Sequence, residues 1–214
     1  DSSASTVNYG DGVNDWSKSD LMTELNDLYY NSKSGTCYNG QNNTSTTCNF
    51  SNIGLDNDSR NMISNAMYYL GGSDSKDDLY ADDYYNFERD TTVYDCSVND
   101  GACPRATTWI GKVGIMYPSD YAYAVDLGLC TQTGDNYSDS TCESNNWLSS
   151  GNDEWVIAPD YTVANYAFRI NASGYLFYSN TYYANSVRPT VYLKSDDIIV
   201  GGTGTSSDPY QLSI

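Results

Sequence analysis

The sequence predicts an α+β domain, and three observations carry that prediction. The long helical signals fall in the first third of the chain. The second half breaks into short apolar or alternating runs separated by Gly, Pro and Asn turns. Six cysteines fall in three close pairs, each flanking a polar interval. Helices early and strands late point to an antiparallel sheet with helices segregated from it.

Taken in order, residues 1–14 open with "DSSASTVNYGDG", a polar, linker-like start. Residues 15–214 then read as a single domain, with no internal repeat and no boundary. The first helix is expected in "DWSKSDLMTELNDLYYNS", with Ser17 as cap and Asp20 three residues on. Leu21, Leu25 and Leu28 recur there at helical spacing. A second helix is expected in "GLDNDSRNMISNAMYYLGG", capped by Asp56 or Asp58. Met62, Ile63, Ala66, Met67 and Leu70 form its stripe, and Gly71-Gly72 stop it. The acidic "SDSKDDLYADDYYNFERD" is weakly periodic and reads as a solvated loop. Asp77, Asp78, Asp82 and Asp83 offer carboxylates to a calcium ion there, but without a calcium-loop spacing.

The strands follow. "TTWIGKVGIMY" (107–117) is bent or bulged by its two glycines. Pro118-Ser119-Asp120 starts a turn or short helix. "EWVIAPD" is a short strand ended by Pro159. "YAFRI" and "GYLFYS" flank "NASG", a hairpin connection in which Gly174 supplies positive φ. "RPTVYLKS" is a further strand, and "DIIVGGTGTSSDPYQLSI" a terminal hairpin.

Cys37 and Cys48, Cys96 and Cys103, and Cys130 and Cys142 each enclose a loop rich in Asn, Asp, Ser, Thr and Gly. Local pairing is the simplest of the available connectivities. Stapled loops of this size imply an oxidising compartment, hence an exported chain. The alternative is three pairs of reduced thiols. Zinc is disfavoured by the lack of His and of any Cys-x-x-Cys. No cofactor is expected.

Net charge is −18. Such a field repels nucleic acid and anionic lipid. No apolar run is long enough to span a bilayer, so no membrane contact is expected. No signal peptide is visible, which is read as a leader removed or an anchor left upstream.

Catalytic chemistry is thin. His is absent, and with it the commonest general base. A glycosidase needs two carboxylates across a cleft; the Glu residues are Glu24, Glu88, Glu143 and Glu154. "FERD" sets Glu88 near Asp90 with Arg89 between them, which reads as an ion pair. No Gly-x-Ser-x-Gly, phosphate loop or dinucleotide fingerprint occurs.

Tyr, Asn and Ser supply more than half of residues 165–186. That mixture is the chemistry of a recognition surface. Strand alternation assigns Phe168, Ile170 and Leu176 to the core. Asn165, Arg169, Tyr175, Phe177, Tyr182, Tyr183 and Asn185 are then expected to form one exposed ligand-binding surface. Arg188 either grips a ligand carboxylate or, as the favoured reading, bonds a buried acid at the start of its strand.

Two resemblances extend this reading. "RATTWIGKVGIMYPSDYAYAV" and "VRPTVYLKSDDIIVGGTGTSSDPYQL" resemble exported Firmicutes proteins that carry a type IV prepilin-like leader ahead of such an ectodomain. "GVNDWSKSDLMTELN" and "SGTCYNG" fit the same family. The Tyr- and Asn-rich hairpin followed by an Arg-Pro-led strand is similar to the C-terminal end of C-type-lectin-like domains, including the variable proteins of diversity-generating retroelements; "WIG" at 109–111 echoes the same fold. That fold also hosts oxidases that use a cysteine pair, but here every Cys has a close loop partner. Together the resemblances imply a C-type-lectin-like, cell-surface, non-enzymatic adhesin. It would bind a protein or glycan on a cell or phage surface. The alternatives are a pilin-like subunit whose patch touches neighbouring subunits, and a carboxylate-based carbohydrate hydrolase.

Overall fold

The computed structural model describes residues 7–10, 12–39, 44–92, 104–205 and 207–213. It is a mixed α and β structure. Among the described residues the strands form one three-stranded and five two-stranded antiparallel sheets.

The three-stranded sheet is the centre of the molecule. It comprises β7 (Glu154–Pro159), β8 (Tyr166–Ile170) and β9 (Leu176–Asn180), in that order. β7 is buried along its whole length, as its unbroken apolar run requires. One face carries Val156, Ala158, Phe168, Ile170 and Leu176, packed under Tyr84, Met116, Tyr121 and Tyr137. The other carries Trp155, Ile157 and Ala167, packed under Tyr9, Trp16, Leu21, Leu25, Tyr68 and Ile115. A sheet dry on both faces makes Phe168 a hub. Its ring stacks on Phe87 at 5.5 Å and meets Tyr178 edge-on at 4.4 Å. The three expected core residues are all buried. The "NASG" turn forms as expected, with Gly174 at φ 91°, a value any side chain with a Cβ would strain.

The N-terminal residues read as a linker are in part structural. β1 (Val7–Asn8) pairs with β10 (Ala184–Asn185). Tyr9 is fully buried against Trp16 and Trp155. The Asn14 amide donates to the carbonyls of Asp160 (2.8 Å) and Val163 (3.0 Å).

The first helix forms in three pieces. A 3-10 turn, Trp16–Lys18, is capped by Asp15, and α1 (Asp20–Thr23) by Ser19. A π-helical stretch, Glu24–Tyr29, continues it. Ser17 is therefore not the cap; its hydroxyl donates to Asp15. Leu21 and Leu25 are buried and Leu28 half-buried. β2 (Ser34–Tyr38) and β3 (Ser45–Asn49) form a hairpin, bridged by Cys37–Cys48.

The second expected helix is half wrong. α2 (Asn57–Met62) starts at the Asp56 cap as anticipated. Residues from Ala66 to Tyr69 are instead strand β4, paired with β5 (Thr108–Gly111). Tyr68 and Leu70 point inward and Met67 outward, a period of two. Gly71 permits the next contact, because a Cβ there would strike the carbonyls of Phe87, Glu88 and Asp90. The acidic segment is not all loop either: α3 (Ala81–Glu88) lies in it.

The bend expected in 107–117 is a strand break. β5 ends at Gly111, and β6 (Val113–Ile115) pairs with β11 (Pro189–Val191). α4 (Pro118–Ala122) follows, and α5 (Ser140–Asn145) lies beyond the 130s loop. The terminal hairpin forms from β12 (Ile198–Gly201) and β13 (Gln211–Ser213). Cys130–Cys142 is the second disulfide of the described residues; the expected Cys96–Cys103 pair lies outside them. Two disulfides fit an oxidising environment. Among the described residues no helix is long and apolar enough to cross a membrane.

Candidate functional site

α3 and α4 meet at the edge of the sheet. The α3 start is fixed by the Tyr80 N–H donating to Asp83 (2.9 Å), and the α4 start by the Tyr117 N–H donating to Asp120 (2.9 Å). α3 buries Ala81, Tyr84 and Glu88. Its other stripe, Asp82, Tyr85 and Arg89, faces outward at helical spacing.

Glu88 joins the two helices. Its Oε1 accepts the Ser119 N–H (2.7 Å), its Oε2 accepts the Ser119 hydroxyl (2.6 Å), and Arg89 Nη1 lies 3.1 Å away. Burial raises its pKa to about 7 despite these partners. Glu88 therefore pairs with Arg89 as the sequence suggests, and is fully enclosed. The Arg89 guanidinium stacks 3.5 Å over the Tyr85 ring.

Beside this joint opens a cleft of about 600 Å³. Tyr85 and Arg89 form one wall, Asp120 and Tyr123 the next, and Trp147, Leu148 and Arg188 the third. Such a size suits a small ligand. Trp147 is 78% exposed, Tyr123 48% and Tyr85 45%. Trp147 is exposed without being loose. Its N–H donates to Ala124 (3.3 Å), the Asn146 amide donates to Tyr121 (3.0 Å), and Arg188 Nη2 donates to Leu148 (3.1 Å). The Cys130–Cys142 bridge closes the loop that precedes it.

Arg188 also bonds a buried acid, as expected of it. Its Nε lies 3.0 Å from Glu154 Oε1 and its Nη2 donates to Oε2 at 3.1 Å. Glu154 is buried, and desolvation raises its pKa against the pull of Arg188. The buried carboxylates behind the cleft arginines, Glu88 and Glu154, are thus spent on internal partners. Asp120 is the acid that remains exposed at the cleft.

The expected patch on 165–186 is not continuous. Arg169 sits opposite Phe177 in the sheet, and its guanidinium is 2.6 Å from Asp153. Tyr175 meets Phe177 edge-on at 5.9 Å, with Lys76 Nζ 4.8 Å above the Phe177 ring. Tyr182 and Tyr183 form a separate pair at 5.4 Å. No ring contact joins the two pairs among the described residues. Asn165 is half-buried, and its carbonyl accepts the Thr181 N–H (2.9 Å). Asn185 is a correction: at 4% exposed, its place in β10 against β1 removes it from the surface. The structure thus assembles Arg169, Tyr175 and Phe177, sets Tyr182 and Tyr183 apart, and withdraws Asn185; of the seven expected to be exposed only Tyr183 is, and the five besides Asn185 are half-buried.

Trp147, Tyr123 and Tyr85 escaped sequence reasoning. The signal for Trp147 was present: "ESNNWLSSGND" places one large ring in a run with no apolar periodicity to bury it. Among the described residues no group of three His, Cys, Asp or Glu side chains could hold a metal ion. Asp77 pairs with Lys76 at 2.5 Å, and Asp83 caps α3.

No family model, curated protein or solved structure matches the chain.

Proposed function

We propose that the protein is an extracellular, C-type-lectin-like binding module. Its ligand, a glycan or protein on a cell or phage surface, seats in the cleft between α3, α4 and Trp147. The observation that carries this reading is Trp147: a large apolar ring held outward by a rigid backbone at the mouth of a cleft. Aromatic rings on fixed supports give contact area with little entropy to lose on binding. The arginine N–H groups and the Asp120 carboxylate supply orienting polar contacts. The Tyr182–Tyr183 pair is a secondary contact surface. The test is a glycan array and cell-surface binding assay with wild type, Trp147→Ala and Tyr182→Ser/Tyr183→Ser. The cleft reading expects Trp147→Ala to weaken binding about tenfold, the worth of one stacked ring, and the Tyr double variant to matter less. Equal binding by wild type and Trp147→Ala on every ligand retires it.

One observation favours a second reading, a filament or assembly subunit. The β12–β13 hairpin leaves Ile198, Ile199, Val200 and Tyr210 exposed, and a lone two-stranded ribbon is marginal in water. Sedimentation of wild type against Ile199→Lys discriminates. Self-association lost in the variant supports assembly; a monomer in both at micromolar concentration removes it.

A further inference from the structure

A second hollow, of about 470 Å³, lies next to the first. Tyr80, Asp82, Leu127, Gln132 and Tyr137 line it, and Tyr123 borders both hollows. Tyr123 ends α4 and its ring is half exposed, so it stands as a ridge between them. The outward stripe of α3 runs beneath the pair, with Asp82 in the second hollow and Tyr85 and Arg89 in the first. From Asp82 to Arg89 that stripe is about 10 Å long at the helical rise, room for two linked sugar rings.

The chemistry of the two hollows is alike. Each presents aromatic or aliphatic faces, a carboxylate acceptor and amide or guanidinium donors. Arg89 and Arg188 are held by the buried carboxylates of Glu88 and Glu154, so they offer N–H donors rather than free positive charge. Asp82 and Asp120 add negative charge, in a chain of net charge −18. That balance opposes an anionic ligand and suits neutral hydroxyls, which both donate and accept. The backbone is fixed across the site: Gly134 N–H donates to Leu79 (2.8 Å), and Cys130–Cys142 closes the loop between the hollows and Trp147.

The geometry points to an extended site for a neutral oligosaccharide of at least two rings, straddling Tyr123 with one ring in each hollow. This rests on the proposed binding function, and it assigns the ligand class and the second subsite. Adjacent subsites multiply affinity, because the second ring binds from a tethered position.

The experiment is calorimetric or NMR titration of the intact chain. The probes are glucose, mannose and xylose, the di- to hexasaccharides of cello-, manno- and xylo-series, and sialyllactose and trigalacturonate as acidic arms. At least one neutral series should gain about tenfold or more from mono- to trisaccharide. Gln132→Ala, which touches the second hollow alone, should erase that gain while leaving the monosaccharide affinity and the melting temperature unchanged. Tyr123→Ala, at the border of both hollows, should erase the gain and weaken the monosaccharide as well. A chain-length dependence that survives Tyr123→Ala overturns the two-hollow site. So does binding that is independent of length, or preference for the acidic arms; if either is still lost in Trp147→Ala, the cleft as a binding site stands. No binding of any saccharide overturns the inference as well. A protein ligand whose binding is still lost in Trp147→Ala then leaves the proposed function intact, and equal binding by that variant ends both.

Discussion

Tyr178 of the β8–β9 hairpin and Tyr85 and Tyr123 of the α3–α4 cleft use the same side chain oppositely. In the hairpin, Tyr178 packs on Phe168 and donates its hydroxyl to Ser73 (2.9 Å). In the cleft, Tyr85 and Tyr123 turn their rings to solvent over helices whose other faces are buried. The difference teaches that composition alone does not locate a recognition surface. The same residue type closes a core where two faces of a sheet are covered, and opens a site where a helix end is not.

The largest expected effects separate core from cleft. Phe168→Ala should cost about 3–5 kcal/mol in denaturant melts, since it removes the ring shared by Phe87, Tyr84 and Tyr178. A loss under about 1 kcal/mol would mean that the hairpin is a surface after all. Arg188→Ala should cost about 3–5 kcal/mol, because it strands the buried Glu154 carboxylate. Arg188→Met/Glu154→Leu should recover most of that stability, as paired apolar replacements of buried ion pairs do. If the double variant stays as weak as the single one, the pair is not the reason Arg188 matters.

The pH dependence tests the joint beneath the cleft. Burial raises Glu88 and Glu24 from the ordinary carboxylate value to about 7. A raised carboxylate binds its proton more tightly in the folded state. Its stabilising contribution is therefore complete below about pH 4.5 and lost as pH rises through about 7. Chemical melts from pH 4.5 to 8 should show stability falling by on the order of 3 kcal/mol per group, in proportion to the shift. Glu88→Gln should flatten its share of that slope, leaving the part due to Glu24 and the other buried acids Glu154, Asp120 and Asp160, which burial also raises. An unchanged slope would place the Glu88 titration elsewhere.

The smallest expected effect sharpens the comparison from the other side. Trp147→Ala should change stability by no more than about 0.5–1 kcal/mol, as for other surface changes. Tyr178→Phe should cost about 1 kcal/mol for the lost hydrogen bond to Ser73. Equal and large losses at both positions would erase the distinction between a closed and an open aromatic.

What the sequence makes legible is local. The β8–β9 hairpin follows from alternation and from Gly174, and α4 follows from Pro118 and the Asp120 cap. Arg188 is readable as a structural fork because Pro189 follows it at a strand start. What is hidden depends on distant partners. Met62, Ile63, Ala66, Met67 and Leu70 fit a helical stripe, but Tyr68 and Leu70 also fit a strand. Pairing with β5, forty residues on, decides between them. α3 was hidden by its acids, two of which sit in its first turn where the helix favours negative charge. The cleft was hidden because its walls come from four separate parts of the chain.

The pairing of β1 with β10 has a consequence for the order of events during synthesis. Tyr9 completes its packing only against Trp155, and the Asn14 amide finds its acceptors only at residues 160–166. β1 itself waits for Ala184 and Asn185. Without those residues the N-terminal segment has only part of its core to join, through Tyr68, Trp109 and Ile115, and the cost of closing so long a loop comes before the remaining contacts reward it. Docking of the segment 7–14 therefore belongs among the last steps by which the domain becomes whole.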